Sequence, residues 1–480
     1  MQFQNYFLTL RSTLVSPYGH WGQNIIKLKP VITIENMKKK IVLFSIVSVM
    51  CMTLSSCFFL DLFGGSSRVE DMDNISAFHK ATTGSNKIQL TTDKEGKGGT
   101  VVDLYIDYSD CMTTATQSQY YMNVQPAIIA CNPNYYSIKG NDIKFESNDK
   151  MKVHQLLNGI RNVDYSNLKG AVDSILKNNH EAIIITDGEY YQKGIGANLN
   201  NPYLADEFKE WLMRGLDVYV YSEPYQSGKF MKNRYYMLFT DHRIDNNIQQ
   251  IFSRNAPKDN NVKMVHLYSG IPGIKIAETG IVLNEQLLDT KEGKVFPSQG
   301  FEWHIFDAQW DDVYKYIAQA EDSKDRIFMK GIKLTVGEED AYRPEEIEVK
   351  AYEISDAYTN FDPKVKKPVD LGEELDDFLE VDEKAWKKGE IVLKFDDDFD
   401  GAGLNGENGN LLRIDICVEE SKENFTSNPS IGDKFKFDSP YGLNTSVYES
   451  LKQTLLDPAI SPEKKGNPVI YTIYLSTYTR

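Results

Sequence analysis

The sequence predicts an α/β fold, with a doubly wound, mostly parallel sheet followed by a β-rich C-terminal domain. Between residues 98 and 270, short apolar runs alternate with amphipathic helical stripes, the pattern of strands and crossover helices in a parallel sheet. Beyond residue 330, helical periodicity gives way to short strand-like runs separated by Pro, Gly and Asp clusters. The 480 residues, of which 41% are hydrophobic and 25% charged, are enough for two or three domains with sizeable cores.

The first part of the chain is typical of an export signal. A basic run over residues 37–40 precedes an apolar run over residues 41–54, which is too short for a comfortable membrane-spanning helix. Residues 54–57 read Leu-Ser-Ser-Cys and resemble the lipobox of bacterial lipoproteins, in which the signal is cut before the Cys and that Cys carries acyl chains. The resemblance implies a signal peptide over residues 37–56 and a lipidated first mature residue, Cys57.

The predicted signal peptide also indicates what the segments before and after it are. We expect residues 1–36 to be a non-native upstream extension, and residues 57–97, rich in Gly, Ser, Asp and Lys, to be a flexible tether. An uncleaved anchor is the alternative, which the short apolar run ending in small residues disfavours. Several acyl chains on one Cys hold a protein on a membrane essentially permanently. We therefore expect a bacterial cell-envelope protein, lipid-anchored at the outer membrane or cell surface.

Charge and cysteine content exclude several classes of function. The net charge is −16, and removal of residues 1–56, with six basic residues and one acidic residue, makes it −21. Such a surface repels phosphate backbones, so nucleic acid is not an expected partner. Besides Cys57 the mature chain keeps Cys111, Cys131 and Cys417, an odd number without paired short spacing. This argues against a disulfide scaffold or a zinc site, with a Cys111–Cys131 bridge left as an alternative.

The elements of residues 98–270 follow from their periodicity. Residues 101–106 and 182–186 are continuous apolar runs, as expected of buried strands. Apolar residues between 168 and 176 have the i, i+3, i+4, i+7, i+8 spacing of an amphipathic helix. Further helices are predicted over residues 112–128 and 204–212, and further strands over residues 143–145, 217–221, 235–239 and 264–268.

Acidic motifs follow the strands that end at residues 106 and 186. In such sheets, ligands gather at the carboxyl ends of the strands. Residues 107–111, Ser166 and Asp187 resemble, in order and spacing, the metal-ion-dependent adhesion site of von Willebrand factor A (vWA) domains: Asp-x-Ser-x-Ser, a separate hydroxyl residue and a later Asp. The resemblance covers residues 98–270 and implies a vWA-like domain with a cation site formed by Asp107, Ser109, Ser166 and Asp187.

These implied ligands suit Mg²⁺ or another hard divalent cation, with one position left for an acidic group of a partner. The chain departs from the family's motif at two positions. Ser166 replaces the usual Thr and keeps the hydroxyl, whereas Cys111 stands where the second Ser belongs. A thiol is a poor ligand for Mg²⁺, so we expect weak binding, a bridging water or loss of the ion.

The remainder of the chain is predicted to be a connecting region and a β-rich domain. Residues 271–329 carry no assigned elements. Residues 330–480 form the predicted β-rich domain, with a short helix over residues 446–455 and strands over residues 332–336, 346–352, 389–395, 411–418 and 469–478.

One motif in this domain is typical of calcium binding. Asp396, Asp398, Asp400 and Glu407, with Gly401 between them, match Asp-x-Asp-x-Asp-Gly-x₅-Glu, the spacing of an EF-hand loop, and so form a possible second site, for Ca²⁺. Strand-like runs, not helices, flank the motif. A solvated acidic hairpin loop and a calcium loop of another type are therefore the alternatives.

The sequence contains none of the common catalytic motifs, such as Gly-x-Ser-x-Gly or His-Glu-x-x-His, and its histidines show no ligand spacing. We expect His154 and His180 at helix surfaces or caps. We predict an envelope lipoprotein that is not an enzyme and that binds a protein or other macromolecular partner through a divalent cation. The alternatives are a metal-independent structural subunit of an envelope assembly and a surface glycan-binding protein, for which abundant Tyr would supply a stacking face.

Overall fold

A computed structural model describes much of the chain from residue 72 onward. The described residues are 72–83, 90–91, 100–115, 118–192, 196–242, 244, 246–269, 274–276, 282–283, 296–297, 303–309, 326–337, 339–365, 369–399, 410–462 and 468–478. The predicted upstream extension, signal peptide and lipidated Cys57 lie outside them, as does most of the predicted tether. Its described residues 72–83 form a helix, contrary to the expected flexible segment, because Ile75 and Phe78 are buried in a cluster with Ile354 and Tyr474.

Seven strands between residues 102 and 267 form one mixed sheet. In chain order the strands of this region are β1 (Val102–Asp107), β2 (Asn134–Lys139), β3 (Asp142–Ser147), β4 (Glu181–Thr186), β5 (Tyr190–Gln192), β6 (Gly196–Asn198), β7 (Asp217–Ser227), β8 (Phe230–Thr240) and β9 (Lys263–Leu267). The sheet order is β3-β2-β1-β4-β8-β7-β9, and β5 and β6 form a separate two-stranded sheet.

The prediction of a mostly parallel sheet was wrong. β1 pairs in parallel with β2 and β4, whereas the other four neighbouring pairs of this sheet are antiparallel. The reason is a long hairpin, in which β7 turns at Gly228, with a φ of 60°, and returns as β8 beside β4. The strand next to β4 therefore runs opposite to it. The coarser prediction, a sheet covered by helices, describes the fold.

Helices cover both faces of this sheet. Up to residue 255 the helices are α1 (Met72–Thr83), α2 (Met112–Ala115), α3 (Gln119–Ala130), α4 (Lys150–Leu157), α5 (Leu168–Asn178), α6 (Ala205–Met213) and α7 (Ile248–Asn255). Successive strand residues point to opposite faces. Leu104 and Ile106 accordingly share a buried cluster with α3 and α7, whereas Tyr105 lies in another with α5 and α6. The stripe predicted as one helix over residues 112–128 belongs to two, α2 and α3.

Two further sheets are described in residues 274–478, which we call the C-terminal part. Residues 271–329, to which the sequence assigned no elements, contribute strands to both sheets. The strands are β10 (Ile274–Ile276), β11 (Val282–Leu283), β12 (Phe296–Pro297), β13 (Trp303–Gln309), β14 (Ile327–Leu334), β15 (Tyr342–Glu353), β16 (Leu379–Val381), β17 (Glu390–Phe395), β18 (Leu411–Glu423), β19 (Phe437–Ser439), β20 (Gly442–Asn444) and β21 (Val469–Tyr478). One sheet has the order β10-β14-β17-β16, with β11 also on β14, and the other the order β12-β13-β21-β18-β15. β19 and β20 form a small hairpin.

Short helices connect these strands. They are α8 (Ser355–Thr359), α9 (Glu383–Trp386), α10 (Pro429–Gly432), a 3₁₀ helix (Asp433–Phe435) and α11 (Ser446–Leu455). Each strand predicted beyond residue 330 overlaps an observed strand, and the predicted helix over residues 446–455 is α11. None of the described helices has the length and apolar character needed to cross a bilayer.

The seven-stranded sheet and the C-terminal part share a buried core. Tyr235 of β8 stacks on Phe435, with ring centroids 6.2 Å apart, and donates a hydrogen bond to its carbonyl at 3.0 Å. Thr454 of α11 donates a hydrogen bond to the carbonyl of Ala205, in α6, at 3.1 Å. Residues 65–480 group into one compact unit. The domain boundaries near residues 270 and 330 stay predictions.

Candidate functional site

The two predicted carboxylates meet at the carboxyl ends of neighbouring parallel strands. β1 ends at Asp107, and Asp187 directly follows β4. Because Ile106 lies opposite Ile185 in the register, the two strands end side by side. Asp187 is fully buried and Asp107 is 2% exposed. The sequence therefore predicted correctly which strand ends carry the acidic residues.

The Asp107 carboxylate is already bonded within the protein. Its Oδ1 accepts a hydrogen bond from the backbone N–H of Ser109 at 2.7 Å, and its Oδ2 accepts one from the Thr186 hydroxyl at 2.8 Å. The second bond joins the ends of β1 and β4. Asp107 is therefore a positioning carboxylate of the site as well as a candidate ligand.

Ser166 has a structural role in this structure. Its hydroxyl donates to the carbonyl of Ile138 at 2.8 Å and accepts from the backbone N–H of Tyr108 at 3.1 Å. These bonds tie the loop after β1 to β2. The Ser166 hydroxyl is therefore bonded to backbone groups both as donor and as acceptor.

Three possible ligand atoms lie close together: Cys111 Sγ and one carboxylate oxygen each from Asp187 and Glu189, all within 4.8 Å of one another. We call these three residues, with Asp107, the acidic cluster. Asp187 Oδ1 accepts a hydrogen bond from the Glu189 backbone N–H at 3.0 Å. Its Oδ2 is buried and has no hydrogen-bond partner among the described residues. Sequence reasoning missed Glu189, although its place two residues after Asp187 was a usable signal.

Burial and neighbouring charge dominate the titration of this cluster. Burial, then the charges of Glu189 and Asp107, raise the pKa of Asp187 to about 8. A buried carboxyl in this environment is stabilised either by a proton or by a nearby cation. Burial, then the charges of Asp187 and Glu189, raise the pKa of the Cys111 thiol far above its usual range. The thiol therefore stays neutral and donates to Ser109 Oγ at 3.6 Å.

A lysine from β8 lies against the cluster. The Nζ of Lys232 is 2.5 Å from Glu189 Oε1, and the two side chains are 9% and 15% exposed. Burial opposes the charge of Lys232, but the hydrogen bond and the charge of Glu189 outweigh it and raise the lysine pKa. No local sequence signal could have identified Lys232, because it is 43 residues from Glu189.

Two buried tyrosine hydroxyls near the cluster also lack a hydrogen-bond partner in the described part of the chain, those of Tyr203 and Tyr225. Burial raises the pKa of both hydroxyls, and the charge of Asp187 adds to the shift in each case. Buried polar groups are rarely left unbonded in proteins. Both hydroxyls are therefore buried polar groups that lie within electrostatic range of Asp187.

A second group of ligand atoms lies at the opposite ends of the strands. Asp217, Asp241 and His242 offer atoms within 4.8 Å of one another, although the sequence showed no histidine ligand spacing. The Asp217 oxygens already accept from His242 at 2.7 Å and from His266 at 3.1 Å. This group is a hydrogen-bonded network. His180, expected at a helix surface or cap, pairs there with Asp103 at 2.8 Å.

The acidic loop after β17 is described only in part. Asp396 and Asp398 form a local turn, in which Asp396 Oδ1 accepts from the Asp398 N–H at 2.9 Å, and Asp400 and Glu407 lie outside the described residues. Strands flank the loop, as predicted. The hairpin alternative was wrong, because β17 and β18 belong to different sheets. The Cys111–Cys131 bridge is not formed, since both thiols are free.

Comparisons of the chain with protein-family models, with curated proteins and with solved structures found no match.

Proposed function

We propose that this protein is a non-catalytic, vWA-like binding protein of a bacterial envelope, in which the acidic cluster holds a divalent cation that supports binding of a macromolecular partner. The observation that carries the proposal is Asp187 Oδ2, a fully buried carboxylate oxygen without a described partner beside Glu189 and Cys111. The lipid anchor rests on the sequence around Cys57.

The strand order supports the vWA-like part of the proposal over the first four strands. The order β3-β2-β1-β4, with parallel pairing of β1 to β2 and β4, is that of one half of a doubly wound sheet. The antiparallel β3 and β8 depart from this arrangement. We therefore confine the likeness to the half that carries Asp107 and Asp187.

The donor set suits a hard cation. Asp187 and Glu189 would supply carboxylate oxygens, which Mg²⁺ and Mn²⁺ prefer, whereas the neutral thiol of Cys111 would add little. A bound cation would supply fixed positive charge for an acidic group of the partner. Asp107 and Ser166 would hold the loops, since their side chains bond to Thr186 and Ile138.

Calorimetric titration of the mature chain with MgCl₂ or MnCl₂ tests this proposal. Wild type should bind one ion, and Asp187→Asn should abolish binding, because it removes the buried charge while keeping the volume. Asp173→Asn, at an exposed position of α5, is the matched control and should bind like wild type. Capture of a partner from envelope extract should fall with chelator and with Asp187→Asn. Absence of ion binding in wild type would contradict the proposal.

A metal-independent structural subunit is the second candidate. Two observations favour it: Lys232 already neutralises Glu189, and the Asp107 carboxylate is bonded through both oxygens. In that case partner capture should ignore both chelator and Asp187→Asn, and Tm should not change with added metal.

A further inference from the structure

We infer that Lys232 is the resident counter-cation of the acidic cluster and sets its affinity for divalent ions, because its ammonium pairs with the Glu189 carboxylate, one oxygen of which an ion would need. This inference rests on the proposed cation site. It concerns Lys232 itself, whose ion pair with Glu189 is present in the structure.

The position of Lys232 is fixed by its strand. Lys232 lies opposite Tyr225 in the β7–β8 hairpin, and the next residue, Asn233, donates a hydrogen bond to the carbonyl of Lys434 at 2.8 Å. Its ammonium is therefore held at Glu189 by a paired strand that is itself tied to the C-terminal part. A surface lysine on a flexible loop would have no such constraint.

Another buried cation of the hairpin pairs with a different carboxylate. Arg234, two residues along β8, forms an ion pair with Glu223 at 3.0 Å, and both side chains are at most 2% exposed. Its guanidinium also lies 4.4 Å from the centre of the Tyr121 ring. Among the described ion pairs, Lys232 thus provides the one that reaches the acidic cluster.

The physical consequence is competition. An ammonium and a divalent ion attract the same carboxylates and repel each other, and the repulsion is strong where water is largely excluded. Lys232 compensates the charge of Glu189 through their ion pair, and its own charge also acts on Asp187, whose pKa it lowers. An ion that ligates Glu189 must share or displace this contact, so the affinity of the site is lower than its carboxylates alone would give.

Substitution of Lys232 tests the inference. In the mature chain, Lys232→Met keeps the aliphatic length without the charge and should tighten Mg²⁺ or Mn²⁺ binding by about tenfold or more in calorimetry. Lys232→Arg keeps the charge and should bind no more tightly than wild type. Lys229→Met, at an exposed position of the same hairpin, is the matched control and should leave affinity unchanged.

A second readout separates folding from binding. Because Lys232→Met leaves Glu189 without its ion pair, this variant should have a lower Tm than wild type in chelator and a larger rise in Tm with MgCl₂. Binding in the variant but not in wild type would support the role of Lys232 and contradict the proposed function of the wild-type chain. Equal or weaker binding in the variant than in wild type would overturn the inference and leave the cation site standing. No binding in either chain would overturn both.

Discussion

Gly188 lies between Asp187 and Glu189, and its surroundings leave no room for a side chain. Its φ is +70°, and a Cβ atom built there would lie 2.6 Å from Tyr235 Cε2 and 2.6 Å from Val447 Cγ2. Tyr235 belongs to the sheet and Val447 to α11 of the C-terminal part. A single glycine therefore lets both pack against the loop that carries the acidic cluster.

We expect Gly188→Ala to lower the free energy of unfolding by about 1–3 kcal/mol through overpacking, in addition to backbone strain. Gly228→Ala is the matched control: its φ is +60°, but no atom lies within 4 Å of the added Cβ. The control should show the strain alone, about 1–2 kcal/mol. Urea unfolding of both variants measures the difference. Equal losses would contradict the close packing at Gly188.

At the scale of single residues, the sequence predicted the carboxylates and missed their neighbours. Asp107 and Asp187 follow apolar strands, so their meeting at one sheet edge could be inferred. Ser166 was expected to face the cation, but its hydroxyl bonds to backbone groups. The direction of this hydroxyl depends on the loop geometry, which the sequence pattern does not specify. Lys232 comes from a distant strand, and no local pattern reports such a contact.

At the scale of elements, the β7–β8 hairpin is where the sequence prediction failed. Residues 217–221 and 235–239 were predicted as short strands, whereas the hairpin continues through 11 residues on each side. The intervening part contains buried polar residues, among them Glu223 and Arg234, which neutralise each other. Apolar periodicity cannot identify a strand whose buried face is polar. Because this hairpin returns β8 beside β4 in the antiparallel direction, it also makes the sheet mixed.

Another feature of element scale is the junction between β9 and the loop before β15. The ring of His266, in β9, lies between two carboxylates: its Nε2 is 3.1 Å from Asp217 Oδ1, and its Nδ1 is 2.9 Å from Asp340 Oδ1. Tyr219 stacks on the ring, with centroids 4.0 Å apart. Both ring nitrogens can donate only in the imidazolium form. His266 is therefore a positively charged link between the sheet and the C-terminal part.

The charge of His266 makes the stability of this link depend on pH. Burial opposes the charge, but hydrogen bonds to Asp217 and Asp340 outweigh it and raise the His266 pKa above the ordinary 6.5. A raised folded-state pKa gives stabilisation that is complete below pH 6.5 and is lost as pH rises through the folded pKa. Wild type should therefore lose stability from His266 deprotonation only as pH rises beyond the ordinary 6.5.

We expect His266→Gln to cost about 1–3 kcal/mol at pH 6, since it removes the cation between the buried Asp217, which keeps its bond to His242, and the partly buried Asp340. The cost should shrink as pH rises through the His266 pKa. Denaturant unfolding between pH 6 and pH 9 measures both effects, with His154→Gln, at an exposed position of α4, as the control. A cost that stays constant across this range would show that His266 is neutral in the folded protein.

At the scale of the whole molecule, the C-terminal part completes the core of the seven-stranded sheet. Phe435 packs on Tyr235, and α11 bonds to α6 through Thr454. A fragment beginning at residue 330 would expose these contacts, so calcium binding at the loop that begins with Asp396 is a question for the full mature chain. Local patterns predicted the strands of this part beyond residue 330, but their order across two sheets depends on long-range pairing that such patterns do not encode.

The whole chain also sets where the acidic cluster would act. We expect the mature protein to be held at a membrane by acyl chains on Cys57, because several buried chains at about 0.8 kcal/mol per methylene exceed any reversible contact. Cys57→Ser should move the protein from the membrane to the soluble fraction or leave its signal uncut, whereas Cys51→Ser, within the apolar run, should stay anchored. Intact-mass analysis of wild type should find lipid on Cys57 and a chain that starts there. An unlipidated wild-type chain, or one that begins before Met37, would contradict the anchor and remove the envelope from the proposed function, while the tests of Asp187 and Lys232 would stand unchanged.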